Sequence, residues 1–343
     1  MQLENFKFDY PEDLVAFEAV EPRDRARLLL SWDRGHRHKY NFSHLPELVR
    51  GDEIFVFNDT RVIPCRLFAR RKTGARVEIF LLNPLEDQGS LGWKCLVKPG
   101  RKVHEGEELT LEDDPSIGIR IFPTQNQGWE MHWGCPPHQV LKLLERIGHI
   151  PLPPYIRRPD REDDSVRYQT VFAHSPGASA APTAGLHFTH ELIRQLAQKG
   201  CEIHFVTLHV GLGTFSPVKE SHIQNHKMHP EYYSMGDETL QTLDGHFRAG
   251  REVVCVGTTS LRAVETAMKF GPEGYSKAFF HPENPPQFVR SLITNFHQPQ
   301  STLFMLVCSL LGTEVMQSLY REAFQEKYRL FSYGDGMWLR VLN

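Results

Sequence analysis

A long segment with no helical pattern interrupts this chain, and the interruption constrains the fold more than any other feature. Between residues 63 and 134 the sequence consists of short runs rich in β-branched and aromatic residues, separated by Gly, Pro, Asn and Asp. Regularly spaced runs of this kind are typical of the strands of a small barrel or sandwich. The runs are CRLFARR, ARVEIFLL, GWKCLVKPG, IGIRIFP and GWEMHWG.

Helical periodicity returns directly after this segment. In PPHQVLKLLERIG (136–148) two prolines begin the pattern, an apolar stripe follows at helical spacing, and Gly148 ends it. A proline-rich connection with a basic cluster, HIPLPPYIRRPDRED (149–163), comes next. The helix and this connection mark the end of the β segment.

From residue 165 onward, predicted strands and helices alternate, which indicates an α/β domain. The simplest architecture is an α/β domain made from residues 1–62 and 150–343, interrupted by an inserted β domain at 63–149. The helices are predicted at 190–199, 261–269, 302–312 and 314–328, and the strands at 53–57, 202–210, 252–257, 287–296 and 336–342.

The composition argues against several classes of protein. The chain has 343 residues and a net charge of -3 at pH 7, so it lacks the strongly basic balance of many nucleic-acid-binding proteins, although a local basic patch would suffice. The start of the sequence has no signal-peptide pattern, and the longest apolar run (302–312) is too short to span a bilayer. The six cysteines are scattered, without a CxxC pair. We expect a soluble cytoplasmic protein with reduced thiols.

Four polar clusters follow predicted strands, and a fifth precedes the last strand. Ligands of α/β sheets bind beyond the carboxyl ends of the strands, so these clusters form the candidate site. Thr258, Thr259 and Ser260, of the cluster GTTSLR, stand at a predicted helix N-terminus. There they could bind an anion or simply cap the helix. The clusters are NDTR (58–61), HVGLGTFSPV (209–218), GTTSLR (257–262), NFHQPQST (295–302) and FSYGDG (331–336).

Histidine is dense between residues 187 and 229. His222, His226 and His229, followed by Glu231, have the spacing of a metal site if the segment is helical. The segment lacks the glutamate of an HExxH motif, however, and Pro230 would end a helix early. We therefore favour hydrogen-bonding or acid–base roles for these histidines and predict no metal.

Eight ordered motifs extend along nearly the whole chain. They are FNDTRVIPCRL, RYQTVFA, AAPTAGLHFT, TLHVGLGTFSPV, HKMHPEYY, GTTSLRAVE, NFHQPQSTLFML and FSYGDGMWL. Together they resemble the motifs of the S-adenosylmethionine:tRNA ribosyltransferase-isomerases of queuosine biosynthesis. The resemblance implies an α/β fold in which a main α/β barrel-like domain carries an inserted small all-β barrel domain, in agreement with the pattern of strands and helices.

The resemblance also implies an activity. Members of this family transfer and isomerise the ribosyl part of S-adenosylmethionine onto 7-aminomethyl-7-deazaguanine at the tRNA wobble position. The product is epoxyqueuosine in tRNA, and adenine and methionine are released. S-adenosylmethionine is consumed as a substrate and brings its own leaving groups, so no metal and no separate cofactor are expected. The expected partners are S-adenosylmethionine and tRNA, with no membrane and with a monomer favoured.

The implied chemistry needs a general base, an acid for the departing adenine, and a cleft that excludes water. The sulfonium acidifies the C5′ protons of the ribose; removal of one drives the loss of adenine, the aminomethyl nitrogen attacks C1′, and a ribose oxygen displaces methionine to close the epoxide. The candidate acids and bases are Asp59, His187, His209 and His229.

Candidate binding residues come from the same clusters and from three basic stretches in or beside the β segment, where a small barrel could contact a phosphate backbone. For the substrate they are Asn58, Arg61, Thr183, Glu231, Thr258, Thr259, Ser260, Arg262, Asn295, His297 and Asp335. For tRNA they are Arg66, Arg70, Arg71, Lys72, Arg101, Lys102, Arg157 and Arg158.

Two other functions remain open from the sequence. One is a metal-dependent hydrolase built on His222, His226, His229 and Glu231. The other is a tRNA-binding module without catalysis. The polar strand ends of the α/β domain argue against this module, because a protein that only binds tRNA does not need them.

Overall fold

The computed structural model describes residues 1–32, 35–85, 92–124, 128–133, 137–211, 218 and 220–341. The strands are β1 Arg27–Trp32, β2 Gly35–Asn41, β3 Ile54–Asn58, β4 Thr60–Val62, β5 Arg66–Arg70, β6 Arg76–Pro84, β7 Gly92–Lys98, β8 Glu107–Leu111, β9 Gly118–Pro123, β10 Trp129–Trp133, β11 Ser175–Ala178, β12 Glu202–Leu208, β13 Glu231–Ser234, β14 Val253–Val256, β15 Glu273–Ser276, β16 Ser291–Asn295 and β17 Gly336–Arg340. The helices are α1 Leu45–Leu48, α2 Pro137–Ile147, α3 Asp164–Arg167, α4 His190–Gln198, α5 Asp237–Arg248, α6 Thr258–Phe270, α7 Thr302–Leu311 and α8 Thr313–Gln325.

The larger sheet has nine strands in the order β15–β13–β12–β3–β14–β16–β17–β1–β2. Its centre is parallel, because β3 pairs with β12 on one side and with β14 on the other, and β14 pairs with β16. Strand β17 runs antiparallel to β16 and parallel to β1. Every residue of β3 is buried, as expected of a parallel strand whose two faces are both covered.

Alternate side chains of β3 belong to two separate apolar cores. Ile54 and Val56 pack in the core that contains the apolar residues of α6, α7 and α8. Phe55 and Phe57 pack in the core on the opposite face, which contains Leu192 and Leu196 of α4. Because successive strand residues point to opposite faces, one continuous apolar run supplies both layers.

Helix α4 begins as the sequence predicts. The hydroxyl oxygen of Thr189 accepts a hydrogen bond from the backbone N–H of Leu192 at 3.0 Å, which confirms Thr189 as the N-cap. Helix α7 is mostly buried. No single helix among the described residues is long and apolar enough to cross a membrane; α7 and α8 satisfy that condition only as a pair, and they are bent by 110°.

The second sheet is a closed barrel of six strands in the order β10–β7–β6–β5–β8–β9, and all of its pairs are antiparallel. Helix α2 packs on this barrel through Val140, Leu143, Leu144 and Ile147, which belong to the barrel core. The predicted α/β fold with a small all-β barrel is therefore confirmed. Strand β8 was not predicted, because only two of its five residues are buried apolar side chains that alternate with polar ones.

Several elements of the larger sheet were also missed by the sequence analysis. Strands β1 and β2 pair with each other at one end of the sheet, and β13 and β15 pair at the other. Helix α5 has one fully buried residue, Leu243, so its apolar stripe is weak. The predicted strand 202–210 continues past the end of β12 at Leu208, and the predicted strand 287–296 begins before β16, which starts at Ser291. The additional residues lie in the connecting loops.

The chain enters and leaves the barrel at neighbouring points. Strand β4, which precedes the barrel, pairs in parallel with β11. At the other crossing, His149 and Arg66 exchange two backbone hydrogen bonds of 2.8 and 3.3 Å. The Nδ1 atom of His149 lies 3.0 Å from a carboxylate oxygen of Asp160, and Arg61 pairs with Glu145 of α2. Polar contacts therefore connect the barrel and helix α2 to the segments that flank the barrel in the chain, namely β4, which pairs with β11 in a separate two-stranded sheet, and residues 149–160.

The contact of His149 with Asp160 predicts a pH-dependent stability. The hydrogen bond to Asp160 raises the pKa of His149 above its usual value. Burial opposes ionisation of Asp160, but the hydrogen bond and charge of His149 outweigh it and lower the pKa of that carboxyl. A raised folded-state pKa means that the stabilisation by His149 is complete below about pH 6.5 and is lost as the pH rises through the folded pKa.

We therefore expect His149→Gln to lower the urea midpoint of unfolding clearly at about pH 5.5 and much less at about pH 8.5. The control is His190→Gln, at an exposed position that begins α4. A stability difference that is equal at both pH values, or that grows with pH, would contradict the role of the His149–Asp160 contact.

Candidate active site at the ends of the parallel strands

The structure brings the polar clusters predicted from the sequence to one edge of the larger sheet. Asn58 ends β3, His209 follows β12, Thr258 follows β14, and Asn295 ends β16. Because β17 is antiparallel to β16, its first residue, Gly336, lies opposite Asn295. Of the cluster 209–218, residues 212–217 lie outside the described part of the chain.

The side-chain amide of Asn58 connects three elements at this edge. Its Nδ2 donates to the carbonyl of Leu208 and to Oγ1 of Thr259, both at 3.0 Å. Its Oδ1 accepts from the backbone N–H groups of Thr60 at 3.0 Å and Leu208 at 3.1 Å. Asn58 is 1% exposed, so its hydrogen-bonding capacity is used within the protein. Its position fixes β3, the end of β12 and the start of α6 relative to one another.

His209 lies beside this amide network. Its Nδ1 is 2.8 Å from Oγ1 of Thr60, and its ring stacks on Tyr232 with centroids 5.7 Å apart. Burial lowers the pKa of His209, while the nearby carboxylate of Asp59 raises it in part. The net direction is downward, so the imidazole is neutral at neutral pH and able to accept a proton.

Asp59 is held by several contacts of its own. Its Oδ1 accepts from the Thr207 hydroxyl at 2.6 Å, and its carbonyl accepts from the backbone N–H groups of His174 and Ser175. Asp59 is only partly buried. A carboxylate at this place stabilises positive charge that develops on the imidazole of His209.

Gly177 sets the position of the His209 ring from the opposite side. A Cβ atom at Gly177 would lie 2.7 Å from Nε2 of His209 and less than 3 Å from two of its ring carbons. Only a residue without a side chain leaves the ring in place. The small residues of this segment therefore have a packing reason, which extends to Gly185, where a Cβ would meet Thr170 and Phe172 at 2.9 Å.

His187 has a different environment from His209. Its Nε2 accepts a hydrogen bond from Nδ2 of Asn295 at 3.0 Å, and Oδ1 of Asn295 accepts from the Thr183 hydroxyl at 2.8 Å. The ring stacks on Phe42 with centroids 4.4 Å apart. Burial, together with the charges of two arginines, lowers the pKa of His187 to about 3. His187 is therefore neutral throughout the physiological range and positions neighbouring groups rather than donating a proton as an imidazolium.

Glu231 and Arg262 form a buried ion pair between β13 and α6. Oε1 of Glu231 accepts from the backbone N–H of Gly211 at 3.0 Å, and Nε of Arg262 donates to the carbonyl of Ala278 at 3.2 Å. Nη2 of Arg262 is buried and has no hydrogen-bond partner among the described residues. A buried donor without a partner costs free energy, so this atom is well placed to receive a substrate oxygen.

The N-terminus of α6 is arranged differently from either expectation. Its N-cap residue is Gly257, with a φ of 91°, and no side chain caps the helix. The Thr259 hydroxyl is occupied by Asn58, and the Ser260 hydroxyl donates to the carbonyl of Val256 at 2.6 Å. Thr258 is 6% exposed. The hydroxyls of Thr259 and Ser260 therefore stabilise the strand end itself.

Asp335 and His297 are also occupied by contacts within the protein. The carboxylate of Asp335 accepts from the backbone N–H groups of Arg27 and Arg329, both at 2.8 Å, and burial raises its pKa. Nε2 of His297 lies 2.9 Å from the Thr294 hydroxyl, and burial lowers the pKa of His297 to about 3. Both groups therefore support the shape of the sheet edge.

The histidines considered for a metal site do not form one. Residues 223–225 form a single 3₁₀ turn instead of the helix that would align His222, His226 and His229. His226 pairs with Glu220, and His229 is exposed, without a hydrogen bond or ion pair to another described residue. Within the described ranges, the residues close enough to share an ion are Glu202, His204 and His246, which gather around the start of β12, away from the site.

Most of the basic residues predicted to contact tRNA are neutralised by carboxylates. The pairs are Arg66–Glu78 at 2.7 Å, Arg70–Glu112 at 2.9 Å, Arg71–Glu107 at 2.6 Å, Lys72–Glu108 at 3.6 Å and Arg158–Asp164 at 2.6 Å. Arg101, Lys102 and Arg157 are exposed and form no ion pair within the described ranges. The positive charge of the barrel is therefore smaller than its sequence suggests.

A pocket beside His187 was not predicted from the sequence. Arg23 and Arg167 line it, together with Ser332 and Tyr333 of the last polar cluster. Arg167 begins the motif RYQTVFA, which offered a signal, whereas Arg23 lies in a stretch without a recognisable pattern.

Comparisons with known proteins identify the family of this chain. The model of the family described as queuosine biosynthesis protein matches residues 3–339. Curated relatives named S-adenosylmethionine:tRNA ribosyltransferase-isomerase include one from Anaeromyxobacter sp. (strain Fw109-5), 41% identical over 99% of both chains. Another, from Gloeobacter violaceus, is 42% identical over 97% of this chain and 94% of its own length.

A solved structure is similar as well. The crystal structure of S-adenosylmethionine tRNA ribosyltransferase from Thermotoga maritima superposes with a TM-score of 0.54 at 31% identity, covering 97% of this chain and 99% of that one. The resemblance inferred from the eight motifs is thereby confirmed, as is the prediction that the chain is an enzyme of the transferase-isomerase type. This chain belongs to the family of queuosine biosynthesis proteins.

Proposed function

We propose that this enzyme transfers and isomerises the ribosyl group of S-adenosylmethionine onto 7-aminomethyl-7-deazaguanine in the tRNA wobble position. The product is epoxyqueuosine in tRNA, with adenine and methionine released and no cofactor beyond S-adenosylmethionine itself. The observation that carries the proposal is a neutral, partly buried histidine, His209, beside the carboxylate of Asp59 at the strand ends of a chain that matches this family over its full length.

His209 is the base in this proposal. Its Nδ1 lies 2.8 Å from the Thr60 hydroxyl, and in the tautomer whose proton is on Nδ1, this atom donates to the hydroxyl and Nε2 keeps a lone pair for the C5′ proton of the sulfonium substrate. The C5′ proton moves to Nε2, and the C5′ electron pair forms a C4′=C5′ bond as the C4′–O4′ bond breaks. The electron pair released on O4′ forms a carbonyl at C1′ as the C1′–adenine bond breaks, and adenine takes up a proton from the acid. The carboxylate of Asp59 raises the pKa of His209, so it stabilises the imidazolium that results.

The surrounding residues orient the substrate. Nη2 of Arg262 receives a substrate oxygen, and the Glu231–Arg262 pair is already desolvated, so it strengthens any polar contact made there. His187 and Asn295 hold the segment of small residues against β16 through the hydrogen bond between them. Thr183 and Thr258 are the remaining candidates for substrate contact at the same edge, and His229 is the exposed candidate for an acid.

The direct test is incubation of the purified protein with S-adenosylmethionine and a tRNA that carries the aminomethyl-deazaguanine. We expect release of adenine and methionine in equal amounts, and the same tRNA with unmodified guanine as the control should give none. Absence of tRNA-dependent adenine release would reject the proposed function.

Replacement of His209 tests its role as the base. We expect His209→Gln to lower kcat by about 10²–10⁴-fold, the usual contribution of a general base. Wild-type kcat should decline as the pH falls through the pKa of His209, below about 6.5, and the variant should lack this acid limb. His204→Gln, at the opposite end of β12, is the matched control and should change kcat less than about twofold. An unchanged acid limb in His209→Gln would exclude His209.

Gly177→Ala tests the placement of the His209 ring without removing a polar group. The new Cβ would meet the ring at 2.7 Å, so we expect the ring to shift and kcat to fall at least about tenfold. Gly236→Ala is the control, because a Cβ there touches nothing within 4 Å. Equal activity of the two variants would show that the ring position does not matter.

A further inference from the structure

A small pocket beside His187 contains two arginines, neither of which was among the candidate site residues predicted from the sequence. Its polar wall consists of Arg23, Arg167, His187, Ser332 and Tyr333. The last two residues precede β17, and Arg23 precedes β1, so the pocket lies at the same edge of the sheet as the candidate active site. Its free space is about that of one water molecule, which suits a single oxygen atom of an anion.

The two arginines are close together, and one exposed carboxylate, Glu21, lies near both of them. Arg23 donates through Nη1 to the carbonyl of Gln169 at 2.6 Å and through Nη2 to the carbonyl of Val166 at 2.7 Å, which are uncharged partners. Arg167 donates to the carbonyl of Val20 at 2.8 Å and pairs with Glu21, whose side chain is 74% exposed.

The pKa of Arg23 reflects its burial and the positive charge of Arg167 nearby. Burial and the charge of Arg167 both lower the pKa of Arg23. A guanidinium has five N–H donors in a fixed fork, so both arginines retain donors after these contacts. An anion in the pocket would relieve the repulsion between them and accept charge-assisted hydrogen bonds from both.

The location of the pocket argues against the carboxylate of S-adenosylmethionine. Strands β12 and β17 are four strand spacings apart in the sheet, about 19 Å at about 4.8 Å each. The carboxylate of S-adenosylmethionine lies five bonds from C5′, which is less than about 8 Å. With C5′ at His209, which follows β12, the carboxylate does not reach the start of β17, where Ser332 and Tyr333 form one side of the pocket, whereas the backbone of a bound RNA extends well beyond its reacting base.

The charge distribution elsewhere favours the same conclusion. Arg66, Arg70, Arg71 and Lys72 of the barrel are paired with carboxylates, so each offers little net attraction to a phosphate. In the pocket, Arg23 contacts main-chain carbonyls and forms no ion pair with a described carboxylate, and Arg167 pairs with an exposed one. Phosphate contacts from arginine forks supply much of the affinity of proteins for nucleic acids.

We propose that Arg23 and Arg167 bind one backbone phosphate of the tRNA, with a non-bridging oxygen seated in the pocket beside His187. This inference rests on the proposed function, because it takes tRNA as the substrate and His209 as the point where the ribose reacts. The pocket then fixes the register of the RNA strand relative to the sheet edge.

The test measures tRNA affinity as a function of salt for Arg23→Gln and Arg167→Gln. Loss of one phosphate contact should weaken binding about tenfold and reduce the slope of log K against log salt by about one. In the adenine-release assay, the KM for tRNA should rise about tenfold, while the KM for S-adenosylmethionine and kcat change less than about twofold. Arg251→Gln is the matched control, since this arginine also donates to a main-chain carbonyl, that of Asp52, but at the opposite edge of the sheet.

If a glutamine variant does not fold, Arg23→Lys and Arg167→Lys still allow the salt slope to be measured, because lysine retains the positive charge. We expect these lysine variants to keep the wild-type slope and to lose part of the affinity for tRNA. An unchanged salt slope in Arg23→Gln and Arg167→Gln, with wild-type adenine release intact, would overturn the phosphate site and leave the proposed function standing. A raised KM for S-adenosylmethionine with unchanged tRNA affinity would also overturn it. Failure of the wild-type protein to release adenine is a separate result that rejects the proposed function.

Discussion

The side-chain amide of Asn58 is the contact on which the arrangement of the site depends. It satisfies the backbone of β12 at Leu208, the backbone of Thr60 and the hydroxyl of Thr259, so three elements meet around one buried group. These backbone groups leave the regular ladder where the strands end, and without the amide they would be buried and unpaired, which costs more than most single contacts gain. Thr60, held in this way, is also the residue that orients His209.

Two histidines at the same sheet edge have different properties because their surroundings differ. His187 is enclosed by apolar and cationic groups, and its pKa falls to about 3. His209 is less enclosed and has Asp59 nearby, which offsets part of the effect of burial. The protein thus separates a structural imidazole from one that can exchange a proton, and it does so through burial and one carboxylate.

Charge in this protein is arranged locally. Net charge is only -3, and the basic residues of the barrel strands face glutamates of neighbouring strands. In the pocket at the edge of the main sheet, Arg23 forms no ion pair with a described carboxylate, whereas Arg167 pairs with the exposed Glu21. Arg101, Lys102 and Arg157 are likewise exposed and unpaired within the described ranges. An anionic polymer would therefore meet unpaired positive charge at these places rather than along the barrel strands, whose arginines are paired.

Local patterns in the sequence determined the fold class, because strand and helix periodicity depend on residues that are neighbours along the chain. The barrel strands, helix α2, the N-cap Thr189 and the polar strand ends could all be predicted in this way. Strand β8 and helix α5 could not, since their apolar residues are too few to form a clear pattern. The tertiary structure alone decided the contacts of the site: Thr60 and His209 are 149 positions apart, and His187 and Asn295 are 108 apart. It also decided which charges are paired and which histidine is neutral, because burial and electrostatic neighbours are properties of the folded chain and not of its local sequence.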